Sequence, residues 1–209
     1  MSRLAELAQR SVVARDEALE RCDMCGAAIA ARHRHLLELP SRELRCACRA
    51  CAILFDRRAA AGGRLRLVPD RRLRLDDFAL DDLMWEELRL PVDIAFFFHN
   101  TQDELVQAYY PSPMGPTESL LTLGAWAALE QANPGLRSME PDVEALLVHR
   151  ALGARRHWLV PIDECYALVG IIRSHWKGLT GGKEVWQQIA RFYDELDRRS
   201  RPVSREDTR

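Results

Sequence analysis

Five of the six cysteines fall between Cys22 and Cys51, in the order Cys22-x-x-Cys25, then Cys46-x-Cys48-x-x-Cys51. A C-x-x-C turn aims two sulfurs at one point, and two such turns supply the four thiolates of a tetrahedral structural zinc site. Cys22, Cys25, Cys48 and Cys51 are therefore the expected metal ligands. Four sulfurs leave no open position, whereas a catalytic zinc keeps one for water, so the pattern argues against catalysis at the metal. Iron is the alternative to zinc. A rubredoxin-like site usually has glycine after both pairs; here Gly26 follows the first, but Ala52 follows the second. An iron–sulfur cluster also accepts four cysteines. Cys46 shares a strand face with Cys48 and is an alternate ligand or a neighbouring thiol. His33 and His35, also on one face, are alternate ligands or outer-shell donors.

The elements that position these residues are short. His33 to Leu39 and Arg42 to Ala47 flank Pro40-Ser41 as two strands about a tight turn. Two C-x-x-C turns joined by a hairpin form a zinc-ribbon-like arrangement over residues 21–58. Gly26 supplies the permissive backbone that a knuckle after Cys25 needs. Between Arg21 and Leu75 there are 13 Arg against 5 Asp and Glu, in a chain of net charge −1, so the front is basic and the rest acidic. Paired cysteines at this spacing in a reducing compartment are metal ligands or redox centres more often than structural disulfides. The first residues carry charges where a secretory signal needs an apolar core, and no apolar run reaches the roughly 18–20 residues that span a bilayer. A cytoplasmic protein with no membrane span is expected.

The remainder reads as α+β. Leu4, Leu7, Ala8 and Val12 suit an amphipathic helix over residues 1–20. Residues 64–198 form the second domain, with a strand over 64–69 and a helix from Asp76 to Leu88 ended by Pro91. A pattern then occurs twice: strands over 92–100 and 104–110 with a helix over 117–131, and strands over 142–150 and 157–161 with a helix over 163–176. Two ββα units sharing one antiparallel sheet, with helices on one face, are the economical arrangement. A last helix spans 183–198, and residues 199–209 read as a disordered tail. Tyr109 to Ser119, with three prolines, reads as a stiff loop running into a helix N-terminus. Gly181-Gly182-Lys183 lacks the spacing of a phosphate loop and reads as a turn. Cys165 reads as a buried small hydrophobe, and His99 and His149 as strand-edge residues.

Several long segments carry a further signal. They include R-C-D-M-C-G (21–26), H-R-H-L-L-E-L (33–39), C-A-C-R-A-C-A-I-L-F-D (46–56), R-L-V-P-D-R (66–71) and L-P-V-D-I-A-F-F-F (90–98). Y-Y-P-S-P-M-G-P-T-E-S-L-L (109–121), P-D-V-E-A-L-L-V (141–148), V-P-I-D-E-C-Y-A-L-V-G-I-I-R (160–173) and W-K-G-L-T-G-G-K-E-V-W (176–186) extend the signal to about Leu196. Together these segments resemble a bacterial family of unknown function commonly encoded in nickel–iron hydrogenase gene clusters. The resemblance implies an accessory or assembly role, with hydrogenase subunits or maturation factors as protein partners, and assigns no reaction. A non-catalytic metal-binding accessory protein is thus the first expectation and a rubredoxin-like or metal-handling redox protein the second. A nucleic-acid binder ranks third, because the basic front lacks aromatic stacking residues.

Overall fold

The computed structural model of the chain describes residues 20–56, 60–121, 123–178 and 180–204. The helix expected over residues 1–20 lies outside them except for Glu20. The architecture is mixed α+β, divided into two compact units: residues 20–38 and 42–67, and residues 39–41 with 68–204.

The first unit is built on the expected hairpin. β1 (Arg34–Glu38) and β2 (Glu43–Ala47) pair antiparallel from Arg34↔Ala47 to Glu38↔Glu43. The connecting turn closes through Arg42, whose φ of 57° is left-handed. β3 (Leu65–Leu67) adds to the other edge of β1, with Leu36 opposite Leu67. This strand was expected in the second domain; its ladder puts it in the first unit, where it satisfies the backbone groups of β1 that β2 leaves unpaired. A short helix, α1 (Arg49–Leu54), follows β2 directly. The core is small: Ile29, Leu36, Ala47 and Leu65 pack with Cys22 and Cys51.

In the second unit β4 (Leu73–Leu75) leads to α2 (Asp82–Glu87), then to β5 (Ile94–Asn100), β6 (Leu105–Ser112), β7 (Gly115–Ser119) and α3 (Leu123–Ala132). β8 (Glu144–His149), β9 (Arg156–Pro161), α4 (Ile162–His175), α5 (Gly182–Arg199) and β10 (Arg201–Val203) complete it. Its sheet has seven strands in the order β10-β4-β9-β8-β5-β6-β7. All neighbours are antiparallel except β10 and β4, which run parallel. Each edge strand carries a proline, Pro202 in β10 and Pro116 in β7.

The helices cover both faces of this sheet rather than the one expected. Phe97, Val106, Leu146 and Leu159 point to one side and pack with Trp85 of α2 and Trp126 and Leu129 of α3. Their neighbours along the strands point the other way. On that face Phe96 meets Tyr166 of α4 at 6.5 Å, and Trp158 stacks on Tyr193 of α5 at 5.1 Å. Register explains why the apparent duplication does not place its helices alike. Ala95 and Ala145 hold equivalent places in the two sequence patterns, yet Ala95 pairs with Val148, beside which Ala145 lies three residues away. An odd offset turns equivalent residues to opposite faces.

Three further expectations are corrected. The segment from Asp76 becomes helical only at Asp82, after Asp81 caps the helix by accepting from the Met84 N–H at 2.8 Å. Residues 109–119 are no loop before a helix: they form the β6–β7 hairpin, in which Tyr110 lies opposite Thr117 and Pro111 opposite Pro116. Of the expected tail, Arg199 ends α5 and residues 201–203 are β10, while 205–209 lie outside the described residues. The Arg201 N–H donates to Arg72 O at 3.0 Å, the Asp76 N–H to Val203 O at 3.2 Å, and the buried Val203 side chain joins the core. Val203→Asp places an unpaired carboxylate there and is expected to cost about 2–4 kcal/mol. Thermal unfolding followed by tryptophan fluorescence measures it, as a melting temperature lower by several degrees.

Candidate metal centre

The first C-x-x-C forms a closed knuckle. The Cys22 N–H donates to Ala27 O and the Gly26 N–H to Cys22 O, both at 2.8 Å, and Gly26 takes the φ of 74° that the turn requires. The Arg21 guanidinium donates to Gly26 O at 3.0 Å and ties the outer side of the turn. The second pair sits where β2 becomes α1. Cys48 is the N-cap of α1, its sulfur accepting from the Cys51 N–H at 3.4 Å, so Cys51 stands one turn on with its sulfur on the same side. The hairpin register and an exchange of bonds between Asp23 and Cys46 join the two turns. The Asp23 N–H donates to Cys46 O at 2.8 Å, and the Cys46 N–H donates to Asp23 Oδ2 at 2.6 Å.

As a result the Sγ atoms of Cys22, Cys25, Cys48 and Cys51 all lie within 4.8 Å of one another. The Cys25–Cys48 separation is 3.8 Å. A tetrahedron with zinc–sulfur bonds of about 2.3 Å has edges of about 3.8 Å, so this spacing suits a shared metal ion. Cys22 and Cys51 are buried, Cys48 half-buried and Cys25 exposed.

The electrostatics of the quartet favour a cation at its centre. Burial alone would raise the Cys22 thiol, but N–H groups of Cys48, Met24 and Cys25 directed at its sulfur bring it down to about 6. Cys51 is pushed up to about 12, first by burial and then by the neighbouring cysteine sulfurs. Without a cation, one thiolate opposes ionisation of the next. A divalent ion removes that opposition and lets all four deprotonate together.

Cys46 does not join the quartet. Its sulfur groups instead with His33 and His35, the three side chains offering ligand atoms within 4.8 Å of one another. Strand alternation would turn Cys46 and Cys48 to the same side, but at Cys48 the chain leaves β2 to cap α1, and the two sulfurs part. Spacing alone did not reveal this division. Its one sequence signal was the odd fifth cysteine beside a histidine pair.

A family model for proteins of unknown function, DUF5947, matches residues 21–200. The chain belongs to this family. No curated protein and no solved structure matches it. The match to DUF5947 takes in both C-x-x-C turns and strands β4 to β9 of the second unit's sheet.

The other marked positions of this DUF5947 member are accounted for by packing. Gly181, at φ 83°, precedes α5 so closely packed that an added Cβ would lie 2.8 Å from Val185 Cγ1 and 2.9 Å from Trp176 Cε3. With the Lys177–Glu184 ion pair at 2.7 Å, Gly181-Gly182-Lys183 is a turn entering the helix. Cys165 is fully buried, and burial raises its thiol well above the usual range. His149 ends β8 as expected, but β8 lies inside the sheet, between β5 and β9, where His149 is buried opposite Ile94 and Arg156. The acidic body also has ionic anchors that the residue pattern did not disclose. Buried Glu144 accepts from Arg71 Nε at 2.9 Å, and Arg72 Nε donates to Glu164 at 2.6 Å. No helix among the described residues is long and apolar enough to cross a membrane.

Proposed function

We propose that this protein carries a structural zinc ion on Cys22, Cys25, Cys48 and Cys51, in a zinc-ribbon-like module, and acts without catalysis as an accessory protein. The observation that carries the reading is the convergence of four cysteine sulfurs from two knuckles, which fills a tetrahedral ion and leaves no place for a substrate. Protein recognition is favoured by the apolar side chains this small module exposes: Ile53 and Leu54 are each 67% exposed on α1. With so few apolar residues among those described, a module that leaves Ile53 and Leu54 in water has a use for them at an interface. The family resemblance then suggests the nickel–iron hydrogenase, through its subunits or maturation factors, as the partner.

Elemental analysis with an absorbance spectrum of untagged, anaerobically purified protein tests the metal. Colourless protein with one tightly held zinc ion per chain is expected; visible charge-transfer bands with stoichiometric iron would replace zinc by the rubredoxin-like alternative. For the partner, purified hydrogenase subunits and maturation factors are passed over the immobilised full chain. Capture should weaken at least tenfold for Ile53→Asp/Leu54→Asp, and equal capture would remove α1 from the interface.

A further inference from the structure

A second group of metal-ligating atoms stands on the β1–β2 hairpin, apart from the cysteine quartet. His35 is directly opposite Cys46 in the ladder. His33 lies two residues before His35, and the two imidazoles meet edge-on with ring centroids 4.7 Å apart. The side chain of His33 is only 8% exposed. Its Nδ1 is 3.0 Å from Ala30 O and 3.2 Å from Glu20 Oε2. Both of those oxygens accept, so Nδ1 carries a hydrogen, and in the neutral imidazole Nε2 then presents its lone pair. That Nε2 is buried and has no hydrogen-bond partner among the described residues. An unsatisfied buried acceptor is costly, and here it belongs to the side chain that shares a cluster with an imidazole and a thiol.

We propose that His33 Nε2, a ring nitrogen of His35 and Cys46 Sγ form a second metal site, separate from the four-thiol site. Imidazole nitrogen with one thiolate selects a borderline transition-metal ion such as Zn2+ or Co2+ over Mg2+ or Ca2+, which require oxygen ligands. The hydrogen bond from His33 Nδ1 to a carbonyl, with a carboxylate beside it, is the outer-shell arrangement that fixes the tautomer of a ligating histidine. The reciprocal bonds between Asp23 and Cys46 hold the backbone of the third ligand. Three protein ligands leave the fourth position to water or another small ligand, whereas the quartet is closed. Charge separates the sites as well. A divalent ion with four thiolates carries −2, whereas the same ion with one thiolate and two neutral imidazoles carries +1.

The test uses the full chain and Zn2+ as the probe. After equilibration with micromolar excess Zn2+ and removal of free ion, the wild type should hold two ions per chain, and Cys46→Ser and His35→Gln one each. The retained ion reports that the quartet is folded, so failure of the quartet reading appears separately, as loss of that first ion. Wild-type protein that saturates at one ion overturns the second site, and so does a second ion that persists in both variants. In a further measurement on unaltered protein, the second equivalent of Zn2+ should shift the ring 15N resonances of His33 and His35. Unmoved resonances with two bound ions would place the second ion elsewhere and overturn the proposal.

Discussion

Cys48→Ser is expected to release the quartet ion and unfold residues 20–67, while the second unit keeps its own cooperative transition. The substitution isolates the ligand. Serine is among the best N-cap residues, so α1 keeps its cap and loses only the sulfur. Among its described residues the first unit has little else to hold it. Its buried apolar set is a handful of residues, two of them the cysteines Cys22 and Cys51. Units of this size generally depend on a metal or disulfide for stability. Structural zinc contributes on the order of 10–16 kcal/mol at neutral pH, more than so small a core supplies. All five tryptophans lie between Trp85 and Trp186, so fluorescence follows the second unit alone. Amide NMR resolves the first. Collapse of the amide dispersion from residues 20–67 with an unchanged tryptophan melting curve is the expected result. A variant that keeps the dispersion of those amides would show that the ion does not hold the module together.

The second large effect is a loss of stability in mild acid. His149 and His157 are both held down to about 4, chiefly by burial. Arg156 adds to the effect at His149, against an opposing Asp93, and Arg150 and Arg155 add to it at His157. Tyr193 packs on His149 at 4.1 Å and Phe78 on His157 at 4.7 Å, so protonation puts charge against rings within the core. The folded values lie below the ordinary 6.5. As pH falls from about 6.5 to 4, the unfolded chain takes up protons that the folded protein does not. Stability from the neutral histidines is therefore complete above 6.5, declines through that window, and levels off below 4. Each histidine contributes at most roughly 3 kcal/mol to the decline. Urea titrations by tryptophan fluorescence from pH 7 to 4.5 measure it. His157→Gln should flatten the profile, and an unchanged slope in that variant would assign the acid sensitivity to other groups.

What the residue pattern disclosed depended on how local its causes were. The cysteine quartet and the β1–β2 hairpin follow from short spacings and a turn, and both could be read directly. β5, β6, β8 and β9 are continuous or alternating apolar runs. α4 and α5 bury residues at helical intervals, as with Val185, Ile189, Tyr193 and Leu196. What escaped reading depends on distant partners. β4 and β10 have three residues each and exist because each offers the other a ladder across more than a hundred residues. β7 contains a proline, which reads as loop until its place at a sheet edge is known. The placement of helices on both faces turns on an odd offset in register. At the metal centre, the parting of Cys46 from Cys48 required the backbone to change direction at a helix cap.

The prolines at the two margins of the large sheet bear on how this molecule meets others. A strand edge recruits a further chain by offering a regular series of donors and acceptors. Pro202 and Pro116 each remove one donor from an edge strand of only three or five residues. Such margins make poor templates for an added strand and so resist both domain exchange and fibrillar growth. At high concentration in the cell the second unit should therefore remain unpolymerised, and its associations should rely on side-chain surfaces rather than on extension of its sheet.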